Sequence, residues 1–382
     1  MGTRLRWVSG VLAVTLVAAV ATATASTKAG PTAVSGTAAD IAYASAQIAK
    51  YKAIPSFTFR GPKFNAAKAK GKLIFNIPIA SYIQYIDQTD QLMKTVAESM
   101  GVKFVEFPNQ GQPSQWVAGI NQAIARKADL IILQGAPPPQ LLGPQLAAAK
   151  KAGIPVLLTH IVDPTEAVPA GVTASVPGPF QAAARLEADY VIKDTKGKAN
   201  VLIIVSDEVL PTAGIKKAML DEFAKHCGSG CKTKIVNVPV VDWATKLQSE
   251  TQAALTADPK INYVIPIYDS MAGLVAPGIL ASGKKGKVKI ATYNGTPFVL
   301  KMIQDDNIVT AEVGENLDWL AHAFMDQAFR MLTGTKTVAN ERTPLRVFDD
   351  SNVIQTGKPP VFQTGYGSAY VDGYNKIWGL SK

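Results

Sequence analysis

The chain has 382 residues, of which 47% are hydrophobic and 18% are charged, and its formal net charge is +10. This composition excludes a disordered chain, a collagen-like repeat and a small disulfide-rich domain, and the length predicts two or three domains or one large two-lobed unit. The lysines are scattered and form no stripe or arginine-rich tract, so we attribute the basic balance to solubility rather than to nucleic-acid binding.

The first residues have the pattern of a secretory signal peptide. Arg4 and Arg6 precede an uncharged run over residues 8–20, and small residues follow as far as Ala25. A charged start, a short apolar run and a small-residue cleavage site are typical of export, and the run is too short to span a bilayer. We therefore expect residues 1–25 to be removed. Without the two arginines the net charge is near +8, and we expect a soluble protein in the periplasm or another extracytoplasmic space.

Two cysteines, Cys227 and Cys231, enclose a glycine-rich turn. Export places them in an oxidising compartment, where a local disulfide is the default state. Free thiols and a metal site are the alternatives, but a zinc site usually needs four ligands and the chain contains only three histidines. We predict a disulfide, no metal site and no cofactor.

Residues 26–70 are predicted to form a linker and a helix, at residues 38–52, before the main fold. From residue 72 short apolar runs alternate with amphipathic stretches, which is typical of parallel sheets covered by helices on both faces. Strands are predicted at residues 73–77, 102–107, 129–133, 154–159, 200–205, 233–238, 263–267 and 288–293, with strand-like pieces at 345–348 and 352–354. Helices are predicted at residues 88–100, 114–127, 140–152, 180–193, 212–226, 245–257, 272–282 and 317–332.

A long segment rich in proline and glycine, at residues 160–180, divides the first eight strands into two sets of four. Two sets predict two similar doubly wound lobes, whereas a single eight-stranded barrel has the same rhythm and is the main alternative. The long break and the strand-like pieces of the tail favour two lobes. We assign residues 71–174 and about 316–346 to the N-terminal lobe, and residues 175–315 and about 347–382 to the C-terminal lobe.

Ligands of open parallel sheets bind beyond the carboxyl ends of the strands. Polar and aromatic side chains at these ends are therefore the candidates for a cleft between the lobes. The candidates are Tyr82, Tyr85, Gln134, His160, Glu208, Trp243, Tyr268, Asp269 and Asn294. We expect Asp269 to accept hydrogen bonds from the ligand, and Tyr82, Tyr85 and Trp243 to stack on it. As alternatives, Asp269 caps the following helix, Trp243 belongs to the core and His160 is structural.

Four blocks occur in a fixed order along the chain. They are ADLIILQG at residues 128–135 with AAAKKAGIPV at 147–156, YDSMAGL at 268–274, YNGTP at 293–297 and DNIVTAEV at 306–313. Together they resemble the type I periplasmic substrate-binding proteins of sugar ABC transporters, those like ribose-binding protein, over roughly residues 70–380. The resemblance implies two Rossmann-like lobes joined by a three-strand hinge, a small polar ligand in a closing cleft, and docking on a membrane permease.

Several positions depart from the pattern of the sugar binders. Tyr268 and Asn294 stand where the family usually has Asn and Asp, and His160 stands where Asp is frequent. Ile215 replaces a frequent arginine, and Glu315 replaces a glutamine, which adds Glu315 to the ligand-binding candidates. The predicted cleft is therefore rich in aromatic and carboxyl groups, so a sugar, another polyol, an amine and an aromatic compound all stay open as ligands.

We therefore predict an exported, monomeric solute-binding protein that captures a sugar, polyol or related small polar ligand and delivers it to an ABC transporter permease. A ligand-sensing subunit for a sensor kinase or chemoreceptor needs the same cleft and is the first alternative. A secreted α/β hydrolase is the second, but the sequence has no suggestive Ser-His-Asp or Cys-His grouping and no phosphate-binding glycine loop. We expect neither enzymatic activity nor binding to nucleic acid.

Overall fold

The alternation of strands and helices from Leu73 onward produces two sheets, seen in a computed structural model that describes residues 2, 36–58, 61–135, 137–305 and 308–380. The first sheet is parallel and has the strand order β2-β1-β3-β4-β5. Its strands are β1 (Leu73–Pro78), β2 (Lys103–Glu106), β3 (Leu130–Gln134), β4 (Val156–Thr159) and β5 (Ala174–Val176). All residues of β3 and β4 are buried, as expected for parallel strands covered on both faces.

The second sheet has the order β11-β10-β9-β8-β6-β7, and only β11 runs antiparallel within the described residues. Its strands are β6 (Ala199–Val205), β7 (Cys231–Asn237), β8 (Tyr263–Pro266), β9 (Lys289–Asn294), β10 (Val309–Glu315) and β11 (Leu345–Phe348). Counted from its own first strand, this sheet repeats the order of the first sheet and adds β11 at one edge. The predicted pair of doubly wound sheets is confirmed, and the single barrel is excluded.

Helices flank both sheets. They are α1 (Ala38–Tyr51), α2 (Gln84–Ser99), α3 (Pro113–Ala125), α4 (Gly143–Lys151), α5 (Phe180–Thr195), α6 (Thr212–His226), α7 (Trp243–Ala257), α8 (Ala272–Ala281), α9 (Pro297–Gln304), α10 (Leu317–Leu332) and α11 (Ala369–Ile377). Helix α10 packs against α2 and the first sheet, α11 packs against α10, and α1 packs against α5, α6 and β11. Within the described residues, none of these helices combines the length and the apolar character needed to cross a bilayer.

We call the first sheet with α2–α4 and α10 the first half, and the second sheet with α5–α9 the second half. The chain passes between the halves after β5, between β10 and α10, and between α10 and β11. At the second passage Asn316 accepts hydrogen bonds from the backbone N–H groups of Asp318 and Trp319 and so caps α10 directly after β10. In the tail, β11 belongs to the second sheet, whereas α11 lies against α10 of the first half.

Some local expectations need correction. Residues 353–356 form a short 3-10 turn and not the predicted strand at 352–354, because Asn352 accepts a hydrogen bond from Asp349 N–H and donates one to the Val347 carbonyl. Strands β5 and β10 and helices α9 and α11 were not among the predicted elements. The predicted disulfide between Cys227 and Cys231 is confirmed. Apart from Gly2, the predicted signal peptide lies outside the described residues.

Candidate functional site

A cavity lies between the halves, at the carboxyl ends of both sheets. In each sheet the strand order reverses at the first strand, because β1 lies between β2 and β3 and β6 lies between β7 and β8. Such switch points open a crevice beyond the strand ends, and here the two crevices face each other. The cavity and its mouth together contain about 480 Å³ of space that no protein atom fills, part of it open to solvent. Its lining consists of Ile79, Ile83, Tyr85, Ile86, Gly135, His160, Phe180, Val209, Pro211, Val240, Trp243, Tyr268, Ser270 and Asn294.

Hydrogen bonds connect the two halves beside the cavity. His160, which follows β4, places its Nε2 atom 2.7 Å from Oε2 of Glu315 at the end of β10. The same carboxylate oxygen accepts a hydrogen bond of 2.7 Å from the Tyr293 hydroxyl. At the rim, the Tyr82 hydroxyl donates to the Val240 carbonyl at 3.0 Å, and Glu208 accepts from Val240 N–H at 2.6 Å. The His160–Glu315 and Tyr82–Val240 bonds join the halves in a closed arrangement, whereas the other two bonds orient Glu315 and Val240 within the second half.

Two residues of the cavity wall have a strained backbone conformation. His160 has a φ of 52° and Asn294 a φ of 145°, values that residues other than glycine seldom adopt. Gly135 has a φ of 65°, and a Cβ atom there would lie 2.4 Å from the Ile86 side chain. Strained residues of this kind cluster at binding sites, where the surrounding fold enforces them.

Aromatic rings form much of the wall. The His160 ring centroid lies 5.0 Å from that of Tyr85 and 4.7 Å from that of Phe180. On the facing half, the rings of Trp243 and Tyr268 are 6.4 Å apart. The Trp243 indole donates to the Ser206 hydroxyl at 2.9 Å and is thereby fixed in orientation. These rings offer flat apolar surfaces to a ligand.

The hydroxyl groups of Tyr85 and Tyr268 are buried and form no hydrogen bond to the described part of the chain. Burial raises the pKa of both phenols, and the charges of Glu315 and Asp269 raise the pKa of Tyr85 further. A neighbouring threonine hydroxyl, Thr89 for Tyr85 and Thr212 for Tyr268, offsets part of the increase, although neither pair of hydroxyls has the geometry of a hydrogen bond.

Buried carboxyl groups lie behind this wall. Asp269 Oδ2 accepts hydrogen bonds from the backbone N–H groups of Gly295 and Thr296, at 3.1 and 2.7 Å, and from the Thr296 hydroxyl. Burial raises the pKa of Asp269 to about 6 although these hydrogen bonds lower it. The neighbouring Glu312 also accepts from Gly295 N–H, at 2.6 Å, and burial raises its pKa, with a further contribution from the charge of Asp269.

The ten candidates from the sequence occupy three kinds of position. Tyr85, His160, Trp243, Tyr268 and Asn294 line the cavity. Tyr82 and Glu208 lie at its rim, and Glu315 lies behind His160. The remaining two bind to protein groups: Gln134 accepts from Asn76 and donates to the Ile86 carbonyl, and Asp269 holds the turn at residues 295–296. Contact between any of these side chains and a ligand stays a prediction.

Sequence reasoning missed the aliphatic part of the lining. The first half contributes Ile79, Ile83 and Ile86, and the second half contributes Val209, Pro211 and Val240. Their positions just after β1, β6 and β7 were a usable signal, because the same strand-end rule selected their neighbours. We selected strand-end residues for polarity or aromaticity, and this choice left the aliphatic ones out.

Residues 74–336 match the family described as periplasmic binding protein domain, and the chain belongs to this family. A search of curated proteins found no match. Among solved structures, a 5-methylthioribose transporter solute-binding protein from Thermotoga lettingae TMO, in complex with 5-methylthioribose, has a TM-score of 0.70 at 18% identity, covering 82% of this chain and 99% of that one.

Two further structures have the same fold. An ABC transporter solute-binding protein from Agrobacterium vitis with bound allitol is 17% identical, with a TM-score of 0.66 and coverage of 75% of this chain and 97% of its own. One from Burkholderia graminis C4D1M in complex with D-arabinose is 20% identical, with a TM-score of 0.66 and coverage of 74% and 97%. The matched family and these three structures are described as binding proteins and not as enzymes.

Proposed function

We propose that this member of the periplasmic binding protein family is an exported solute-binding protein, which captures a small ligand between its halves and delivers it to an ABC transporter permease. The observation that carries the proposal is the cavity that both sheets form with their matching carboxyl ends. The allitol, D-arabinose and 5-methylthioribose named for the fold neighbours support a small uncharged solute as the ligand.

Capture requires that the ligand prefer the closed arrangement, because a ligand with equal affinity for two states shifts neither. The wall supplies such a preference, since Tyr85 and His160 come from the first half and Trp243 and Tyr268 from the second. A ligand that touches all four gains its full set of contacts only when the halves are together. We further propose that the protein acts as a monomer and that the permease recognises the closed form.

Ligand screening tests the proposal directly. The purified full chain is tested by thermal shift, with calorimetry on each hit, against pentoses, hexoses, polyols, amines and aromatic compounds. A ligand at 100 times its dissociation constant is expected to stabilise the protein by about 2.7 kcal/mol. Prolonged incubation is expected to return the ligand unchanged, and conversion of a hit into a product would contradict a pure binding role.

The contact between His160 and Glu315 gives a sharper test. Glu315→Gln keeps the shape of the side chain but removes the charge that strengthens both hydrogen bonds to its Oε2 atom. We expect about a tenfold loss of ligand affinity, the equivalent of roughly 1.4 kcal/mol, measured by calorimetry. Glu98→Gln, which alters an exposed ion pair on α2, is the matched control and leaves the affinity unchanged. Equal affinities of both variants would contradict a role for this contact in closure.

A further inference from the structure

The cavity walls are poorly suited to a ligand with a hydroxyl group on nearly every carbon. Much of the wall consists of side chains that present only apolar atoms. These are three isoleucines from the first half and Val209, Pro211 and Val240 from the second. Each ligand hydroxyl buried against such a surface without a partner costs about 1–3 kcal/mol. A hexose or pentitol needs many partners, so the composition of the wall disfavours it.

The polar side chains nearest the cavity are largely engaged with the protein itself. Gln134 bonds to Asn76 and Ile86, the Trp243 indole bonds to Ser206, and Asp269 bonds to the turn at residues 295–296. Gln134 and Asp269 do not line the cavity, and the single N–H donor of the Trp243 indole is already in use. They therefore contribute little net affinity for ligand hydroxyls.

The uncommitted polar groups are few and lie on both halves. Among the residues that line the cavity, the buried hydroxyls of Tyr85 in the first half and Tyr268 in the second have no hydrogen bond to the described chain. The side chain of Asn294 lines the same cavity. Both tyrosines line the same cavity, so one small molecule can contact both side chains. A ligand that complements these walls therefore has hydrogen-bonding groups at two of its edges.

The charged groups around the cavity further restrict the class of ligand. The described lining contains no lysine or arginine, and its one basic side chain, His160, already faces the Glu315 carboxylate. The lining therefore offers little to a carboxylate or phosphate. The nearby carboxylates of Glu315 and Asp269 disfavour an anion as well. Each already accepts hydrogen bonds from protein groups, and neither lines the cavity. The absence of a charged partner in the lining favours a neutral ligand over a protonated amine.

We propose, on the basis of the function proposed above, that the ligand is a neutral, flat ring compound of aromatic or heteroaromatic character. Its faces pack between the aromatic and aliphatic walls, and its two polar edges bind the hydroxyls of Tyr85 and Tyr268. The faces of the ring displace the water that would otherwise contact the apolar walls. Its two polar edges form hydrogen bonds with the phenol hydroxyls that the protein leaves unpaired. The proposed ligand therefore differs in class from the polyols and sugars bound in the structures of the fold neighbours.

Three panels of probes test the assignment on the full chain by thermal shift and calorimetry. The first contains neutral rings (guaiacol, vanillin, nicotinamide and thymine), the second contains ribose, arabinose, glucose and xylitol, and the third contains benzoate and 4-hydroxybenzoate. We expect a hit from the first panel, with affinity at least tenfold higher than for any compound of the other two. A sugar or polyol as the best ligand would overturn the ring assignment while leaving the solute-binding function intact. No binding by any panel would count against both.

Substitutions of single tyrosines test the two hydroxyls. Tyr85→Phe and Tyr268→Phe are each expected to weaken the best neutral probe by about 2–12-fold, which corresponds to one ordinary hydrogen bond. Neither is expected to lower the melting temperature of the ligand-free protein, because the hydroxyl that is lost has no bond to the described chain.

Tyr263→Phe is the matched control for these variants. The Tyr263 hydroxyl bonds to Asp194 at 2.8 Å and to Thr310 at 2.9 Å, and it does not line the cavity. This variant is expected to lower the melting temperature and to leave the ligand affinity unchanged. If Tyr85→Phe and Tyr268→Phe bind the probe as well as the parent does, the phenols do not hold the ligand and the assignment is wrong.

Discussion

Asp269 is the residue on which the sequence placed most weight, and the structure gives its carboxylate protein partners. The Oδ2 atom accepts from Thr296 N–H, the Thr296 hydroxyl and Gly295 N–H. Asn294, directly before this turn, lines the cavity with a strained backbone. The carboxylate therefore fixes the turn that presents Asn294, and the predicted direct contact with the ligand stays a prediction.

Asp269→Ala distinguishes these two roles. It removes the acceptor of Thr296 N–H, whereas Gly295 N–H retains Glu312, so we expect the free energy of unfolding to fall by about 1–3 kcal/mol. Ligand affinity falls with it because the turn beside Asn294 loosens. Denaturant titration and calorimetry measure the two effects. A variant as stable as the parent that has lost all binding would instead indicate direct contact with the ligand.

At the scale of elements, the segment before the matched family region ties the two halves together at a distance from the cavity. In α1, Asp40 lies 3.2 Å from His226 of α6, and the Tyr43 ring stacks on that histidine at 4.0 Å. Further along, the ring of Phe57 contacts Trp319 of α10, and Phe64 N–H bonds to the Ile377 carbonyl of α11. The segment thus joins the second half to α10 and α11.

Gly373 tests how far the fold depends on this packing. A Cβ atom at Gly373 in α11 would lie 2.1 Å from the Phe57 ring, so Gly373→Ala forces that ring away and is expected to cost about 1–3 kcal/mol of stability. Gly143→Ala, at the start of α4 where no heavy atom lies within 4 Å of the new Cβ, is the control and is expected to be neutral or slightly stabilising. Equal melting temperatures for the two variants would contradict the packing role.

The same elements mark the limits of prediction from sequence. Continuous apolar runs such as 130–133 identify buried parallel strands by themselves, and the doubly wound sheets followed from that rhythm. Helix α11 was missed because it is buried against residues that are distant in sequence. Trp319 lies about 50 positions before it, and Phe57 lies more than 300 positions before it. The strand-end rule placed five of its nine candidates in the cavity lining, but spacing does not reveal that Gln134 and Asp269 bond to protein groups.

Over the whole molecule, buried carboxyl groups determine how stability changes with pH. Burial and, next, the charge of Glu222 raise the pKa of Asp189 to about 8, although Arg185 and Lys225 act in the opposite direction. Asp269 has a pKa raised to about 6, and burial raises the pKa of Glu187 and Glu312 as well. In the unfolded chain these groups titrate near pH 4. The folded state therefore binds more protons than the unfolded state at intermediate pH.

The sign of the resulting pH dependence follows from linkage. Where the folded state holds the additional protons, the free energy of unfolding falls as pH rises from about 4 through about 8. Denaturant titrations between about pH 5 and about pH 9 are expected to show this decline. Asp189→Asn is expected to flatten it and to stabilise the protein most at the alkaline end, because the buried amide does not ionise beside Glu222. Asp221→Asn, an exposed residue paired with Lys217, changes the net charge equally and is expected to keep the parental slope. If Asp189→Asn keeps the parental slope, groups other than Asp189 cause the fall in the free energy of unfolding.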